Sequence, residues 1–158
     1  MFREVARENR RLSAEECVRI LSEEKRGVLS VIGDGGYPYG MPMNHFYNPD
    51  DGKLYFHCGK DGHRTDSIRK DSRASFCVYD SGFRREGEWA LNIKSAIVFG
   101  RIEEIADKET IYDISHRLSH KFTDDEKHIE EEIKRAGPRT MMFALVPEHI
   151  TGKIVNES

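Results

Sequence analysis

The sequence predicts a single α+β domain spanning residues 1–158, built from short antiparallel strands that curl into a small barrel with flanking helices. Three observations carry this expectation. Short runs rich in β-branched and aromatic residues recur along the chain. Tight turns separate several of them, at Gly33-Asp-Gly-Gly36 and Asn48-Pro-Asp-Asp-Gly52. Helical stretches open the chain, interrupt the strands once, and precede the last one. Consecutive strands joined by short turns pair antiparallel, and closing the sheet removes its exposed edges. Periodicity alone does not separate a barrel from a sandwich.

Ser13 to Glu16 reads as a capping box, in which the two side chains satisfy each other's backbone N–H groups. Cys17, Val18, Ile20 and Leu21 follow as an apolar stripe at helical spacing, and Gly27 is read as the stop. Residues 27–32 form the first strand. Tyr37 to Tyr47 is extended, and Pro38 and Pro42 place it at an edge or on a bulge, because each removes a ladder donor. Leu54 to Cys58 is its hairpin partner. Lys60 to Asp71 reads as a short helix anchored by Ile68. Ala74 to Tyr79 and Glu88 to Glu104 are strands, the second bent near Gly100. Asp107 to Phe122 is helical, with Ile111, Ile114, Ser115, Leu118 and Phe122 on one face. A second capping box, Thr123 to Glu126, opens a charged helix that buries Ile129, Ile133 and Ala136 and ends at Gly137-Pro138. Thr140 to Val146 is the last strand, followed by a short tail.

Composition excludes several classes. The net charge of −3 gives no reason to expect nucleic acid as a partner. The N-terminal segment is too charged for a signal-peptide core, and no apolar run is long enough to span a bilayer, so a cytoplasmic protein without a membrane partner is expected. Cys17, Cys58 and Cys77 are odd in number and scattered, which excludes a full disulfide framework and fits reduced thiols. There is no Walker A, HExxH or nucleophile-elbow sequence. His116 and His120 are spaced as a metal pair, but they lie opposite the apolar stripe of their helix without a visible third ligand. A solvated face is the expected reading, and no metal site is assigned. Gly33 and Gly35 precede no helix and are not read as a nucleotide loop.

Four segments, in this order and spacing, resemble the FMN-binding split-barrel family of pyridoxamine 5′-phosphate oxidase-like proteins, in particular its nitroimidazole-resistance branch. They are Gly36-Tyr-Pro-Tyr-Gly-Met-Pro-Met-Asn-His-Phe-Tyr47, Leu54-Tyr-Phe-His-Cys-Gly-Lys-Asp-Gly-His-Arg64, Ser95-Ala-Ile-Val-Phe-Gly-Arg-Ile-Glu-Glu104 and Ile150-Thr-Gly-Lys153. The resemblance covers residues 12–154. It implies a six-stranded antiparallel split barrel of Greek-key type, assembled as a homodimer with FMN between the subunits. Carried over, it implicates Met41, Pro42, Met43 and Asn44 beside the flavin ring, and His57, Cys58, Gly62, His63 and Arg64 around the ribityl chain and phosphate. Arg64 stands where the family often has lysine; it keeps the charge and can grip a phosphate bidentately. The other subunit would contribute Ser95 and Ala96, with Trp89.

The chemistry of these residues fits such a ligand. Gly59 and Gly62 allow close backbone approach, Arg64 adds charge, and a helix N-terminus adds its dipole. An irregular, Pro-containing strand leaves backbone groups free for ring heteroatoms. A solvated loop and an ordinary edge strand are the plain alternatives. His45 and His57 are both candidate proton donors, although a hydrogen-bonded strand histidine is the expected role of His45. Cys58 is expected to pack rather than react.

The expected function is an FMN-dependent oxidoreductase that passes electrons from a small donor to a nitroaromatic- or quinone-like acceptor. The alternatives are a non-catalytic flavin carrier or sensor, and a heme or deazaflavin binder on the same fold. The short chain lacks an extended basic C-terminal pattern, so oxidation of pyridoxamine phosphate itself is not expected.

Overall fold

A computed structural model describes residues 1–157. Helix α1 (Ala14–Glu23) begins at the expected capping box: Glu16 N donates to Ser13 Oγ at 3.2 Å, and Ser13 N donates to Glu16 Oε2 at 3.1 Å. Its buried face is Cys17, Ile20 and Leu21. The helix stops at Glu23, before Gly27, which lies inside strand β1 (Arg26–Ile32). The correction has a packing cause. A Cβ on Gly27 would lie 2.5 Å from the Phe76 ring and 2.6 Å from the Cys77 carbonyl oxygen, so only glycine lets β1 approach its neighbour there.

The remaining strands are β2 (Pro38–Asn44), β3 (Phe46–Tyr47), β4 (Leu54–Gly59), β5 (Arg73–Tyr79), β6 (Leu91–Ile105) and β7 (Thr140–Glu157). They form one antiparallel sheet of seven strands in the order β2-β1-β5-β6-β7-β4-β3. The extra strand arises because the expected 37–47 segment is broken at His45. Its halves lie at opposite edges of the sheet. One residue joins those edges, so the sheet must curl until they meet at that corner, which gives the split barrel expected from the sequence. Pro38 and Pro42 lie in β2, which pairs with β1 alone, where a missing N–H is tolerated.

The last strand is longer than the sequence predicts. The β7 ladder to β6 continues through Pro147 to Glu157. Gly100 pairs with Pro147 and Phe99 with His149, so Glu148 is an extra residue and the register shifts there. This bulge absorbs the proline. It also accounts for Gly100, where a Cβ would fall 2.0 Å from the Val146 carbonyl oxygen.

The barrel interior is lined by Leu29, Val31, Met41, Met43, Leu54, Phe56, Phe76, Val98 and Phe143, with α1 contributing Leu21. Phe56 packs edge-on to Phe76 and stacks on Phe143, at centroid separations of 5.0 and 5.2 Å. Gly152, in the Ile150-Thr-Gly-Lys153 segment, seats the N-terminal region. A Cβ there would lie 2.3 Å from Cys17 Sγ, and its carbonyl accepts from Leu12 N at 3.0 Å. Helix α2 (His63–Lys70) inserts Ile68 into the core, as expected.

Helices α3 (Lys108–Ser119) and α4 (Glu126–Ala136) pack outside the sheet, where Ile114 meets Tyr55, Met142 and Ala144. Phe122 is not on the helical face assigned to it. It lies past the end of α3, with Lys25 and Arg26 over its ring at 5.6 and 5.7 Å. The second capping box does not form either. Asp125 caps α4 by accepting from His128 N at 3.1 Å, while Thr123 Oγ1 accepts from Asp125 N at 3.2 Å and tightens the preceding turn. Among the described residues, no helix is long and apolar enough to cross a membrane.

Candidate functional site at the mouth of helix α2

His63 and Arg64, the first two residues of α2, hold alternate residues of β2. The His63 ring stacks on Tyr39 at 4.2 Å with an interplanar angle of 12°. Arg64 Nε lies 3.0 Å from Met41 Sδ. Strand alternation places Tyr39 and Met41 on one face, so the start of the helix lies along the strand. Thr65 Oγ1 donates to the Gly59 carbonyl at 3.0 Å and fixes the loop that leads from β4 into α2. Asp34 Oδ2 stands 3.5 Å from His63 Nε2.

The N-terminus of α2 differs from those of the other α-helices. Ser13, Asp107 and Asp125 each cap their helix with a side-chain oxygen. Gly62 precedes α2 with φ 115° and offers no side-chain cap. A Cβ at Gly62 would meet nothing within 4 Å, so the approach to these N–H groups is open. Uncapped N-terminal N–H groups and the helix dipole together favour an anion. Arg64 is half-buried and forms no ion pair among the described residues, so its charge is available. Beside it, β2 has no strand neighbour on its second edge.

The structure thus brings together part of the residue set expected from sequence. Met41 and Met43 point into the core, whereas Pro42 is exposed on the outer face of β2 and Asn44 is half-buried. Cys58 is buried, with its sulfur 4.0 Å from Thr65 Oγ1, which is the packing role expected of it. His57 lies on the opposite face of β4 from Phe56 and Cys58, at a cleft of about 260 Å³ under α3 and α4 that is lined also by Ile111, Leu118, Ile133 and Met142. Desolvation, and then the Arg64 charge, lower its pKa, so His57 favours its neutral form. Tyr39, Asp34 and Thr65 were not singled out from the sequence. Tyr39 was legible in principle, since it stands two residues before Met41 on the same strand.

Trp89, Ser95 and Ala96 are elsewhere in the protomer. Trp89 is 78% exposed and lines a separate cleft with Arg10, Arg85 and Asn156. Ser95 is half-buried, and Ala96 is fully enclosed in the barrel interior.

His45 does not approach His57. It is fully enclosed, packs edge-on against Phe76 at 4.8 Å, and contacts the Leu21 carbonyl through Nε2 at 2.7 Å. Burial pushes its pKa down to about 4, helped by the nearby Lys121 charge, so the ring is neutral at pH 7 and Nε2 donates to that carbonyl. Lys121 Nζ donates to the carbonyls of Glu24 and His45 at 2.7 and 2.8 Å, and burial lowers its own pKa to about 8. His45 therefore fastens the corner where the sheet edges meet: it is hydrogen-bonded, as expected from the sequence, but stands between β2 and β3 rather than within a strand.

A curled antiparallel sheet whose edges meet through one residue, with a short helix at its mouth, defines the split-barrel class. The sequence profile of the pyridoxamine 5′-phosphate oxidase family matches residues 13–154, and the chain belongs to that family. No curated protein matches it. Three solved structures show the breadth of the likeness. A candidate 5-nitroimidazole antibiotic resistance protein from Bacteroides thetaiotaomicron is 17% identical with a TM-score of 0.75, over 92% of this chain and 87% of that one. An FAD-binding protein from Mesorhizobium loti is 25% identical with a TM-score of 0.66, over 92% and 97% of the two chains. An FAD- and heme-binding protein from Mycobacterium smegmatis is 19% identical with a TM-score of 0.69, over 89% and 70%.

Proposed function

We propose that the protein binds a flavin nucleotide, FMN in the first instance, with its phosphate at the N-terminus of α2 and its ring along the open edge of β2. The observation that carries this reading is the uncapped, unobstructed start of α2 beside the Arg64 guanidinium. A phosphate dianion suits that combination of N–H donors, dipole and bidentate charge. Membership of the pyridoxamine 5′-phosphate oxidase family supports it.

In this arrangement Gly62, His63 and Arg64 bind and orient the phosphate. The Tyr39–His63 stack holds the helix start in register with β2. Backbone groups of Met41 to Asn44 are the candidate partners for ring heteroatoms. When bound, a flavin supplies electron transfer between a small donor and a small acceptor. The acceptor we propose is a nitroaromatic- or quinone-like compound. A homodimer is part of the proposal: the resemblance has a second subunit completing the site with Trp89 and Ser95, which lie away from the α2 mouth within the protomer.

FAD is the second reading, favoured by the FAD-binding protein of Mesorhizobium loti. The test is the absorption spectrum of freshly purified protein, followed by denaturation and identification of the released compound. Released FMN supports the first reading and released FAD the second. A colourless protein that takes up neither would overturn both.

A further inference from the structure

The sequence leaves His116 and His120 on a solvated helix face without a third ligand. The fold supplies one. Glu126, in the first turn of α4, places Oε2 2.8 Å from His116 Nε2 and Oε1 2.8 Å from His120 Nε2. One ligand atom from each of the three residues falls within a 4.8 Å group. A tetrahedral ion with bonds near 2.0–2.1 Å needs donor atoms roughly 3.3 Å apart. The two His–Glu126 separations already fall below that spacing, and all three ligand atoms lie within 4.8 Å.

Two further features match what such a site requires. The histidines are one helical turn apart, so the backbone already aligns their rings. Asp124 Oδ1 lies 3.7 Å from His120 Nδ1, on the far side of the ring from Glu126. A carboxylate on that side favours the ring orientation that turns Nε2 toward Glu126. Tyr112 adds support by stacking over His116 with its ring centre at 6.2 Å, and its hydroxyl donates to Glu130.

We propose that His116, His120 and Glu126 bind one divalent transition-metal ion of the Zn(II) type, with water in the fourth position. Two imidazoles and one carboxylate suit zinc and its first-row neighbours, and do not suit the all-oxygen preference of calcium or magnesium. The ion joins α3 to the start of α4. Those helices roof the cleft that His57 faces, so the metal stiffens that roof.

The experiment is titration of the full chain, prepared without a polyhistidine tag, with Zn(II) by calorimetry, and with Co(II) by visible absorption. One equivalent per chain is expected, with the intense visible bands of tetrahedral Co(II) and a melting temperature raised by Zn(II). His120→Ala and Glu126→Gln each lower the affinity at least about tenfold, and Asp124→Asn lowers it by less than either, through His120. His128→Ala, on the exposed part of α4, leaves binding unchanged. Asp124, Glu126 and His128 lie at the surface and His120 is half-buried, so the unliganded melting temperatures of all four variants stay close to the parent's. Absence of saturable Zn(II) uptake, or uptake unaltered by both His120→Ala and Glu126→Gln, would overturn the proposal.

Discussion

The corner at His45 and the mouth at α2 both rest on histidines beside β2, yet they are opposites in polar satisfaction. At the corner, a neutral ring donates to Leu21 through Nε2, the backbone carbonyl accepts from Lys121, and solvent is excluded; only the ring Nδ1 lacks a partner. At the mouth, the helix N-terminus has no side-chain cap, Arg64 has no carboxylate, and His63 lies on the surface. One end of the strand segment spends its polar groups on holding the barrel together. The other leaves them free for a ligand. Polar side chains on one stretch of sequence thus divide into structural and functional sets according to whether the fold has already paired them.

The contrast can be broken from the structural side first. His45→Ala should destabilise the protein by about 2–5 kcal/mol, since it empties a fully enclosed site beside Phe76 and strands the Leu21 carbonyl. Urea denaturation measures this, and a change under 1 kcal/mol would show that the corner is not a fastening. The same residue sets a pH dependence. The folded pKa of about 4 lies below the ordinary 6.5, so between these values the unfolded chain takes up a proton that the folded chain refuses. Stability should therefore be fully present above pH 6.5 and fall as pH drops toward 4, by about 3 kcal/mol. Urea midpoints across that window should show the slope in the parent and a much smaller one in His45→Leu, the remainder coming from groups such as His57.

Lys121→Met should cost about 1–3 kcal/mol, because two carbonyls lose a charged donor. The mouth should respond the other way. Arg64→Ala should change stability by less than about 0.5 kcal/mol, while weakening flavin binding by about 1.5–3 kcal/mol through the lost phosphate contact. Comparing denaturation with flavin titration for the four variants separates the two regions.

Legibility in the sequence followed the range of the interaction. The Ser13–Glu16 capping box and the Pro38/Pro42 edge strand could be read because their causes lie within a few residues. Thr123 misled because Asp125, two residues on, competes for the same role and lies where α4 can bury Ile129. Pro147 reads as the end of a strand because its tolerance depends on a bulge opposite Gly100, which lies 47 residues earlier in the chain. Gly27 looked like a helix stop because Phe76, the ring it accommodates, is distant in sequence. In the site, Arg64 and Gly62 carried a local signal of charge and flexibility. Glu126 carried none toward His116 and His120, since only the turn between α3 and α4 brings it to them.

The most direct test of flavin binding at the mouth of α2 is a titration of flavin-free protein with FMN, followed by flavin fluorescence, for the parent and for Arg64→Ala. The expected result is saturation at one FMN per chain in the parent and an affinity at least tenfold lower in the variant, at an unchanged melting temperature. Equal binding by both proteins, or binding by neither, would contradict the assignment of the α2 mouth as the flavin site.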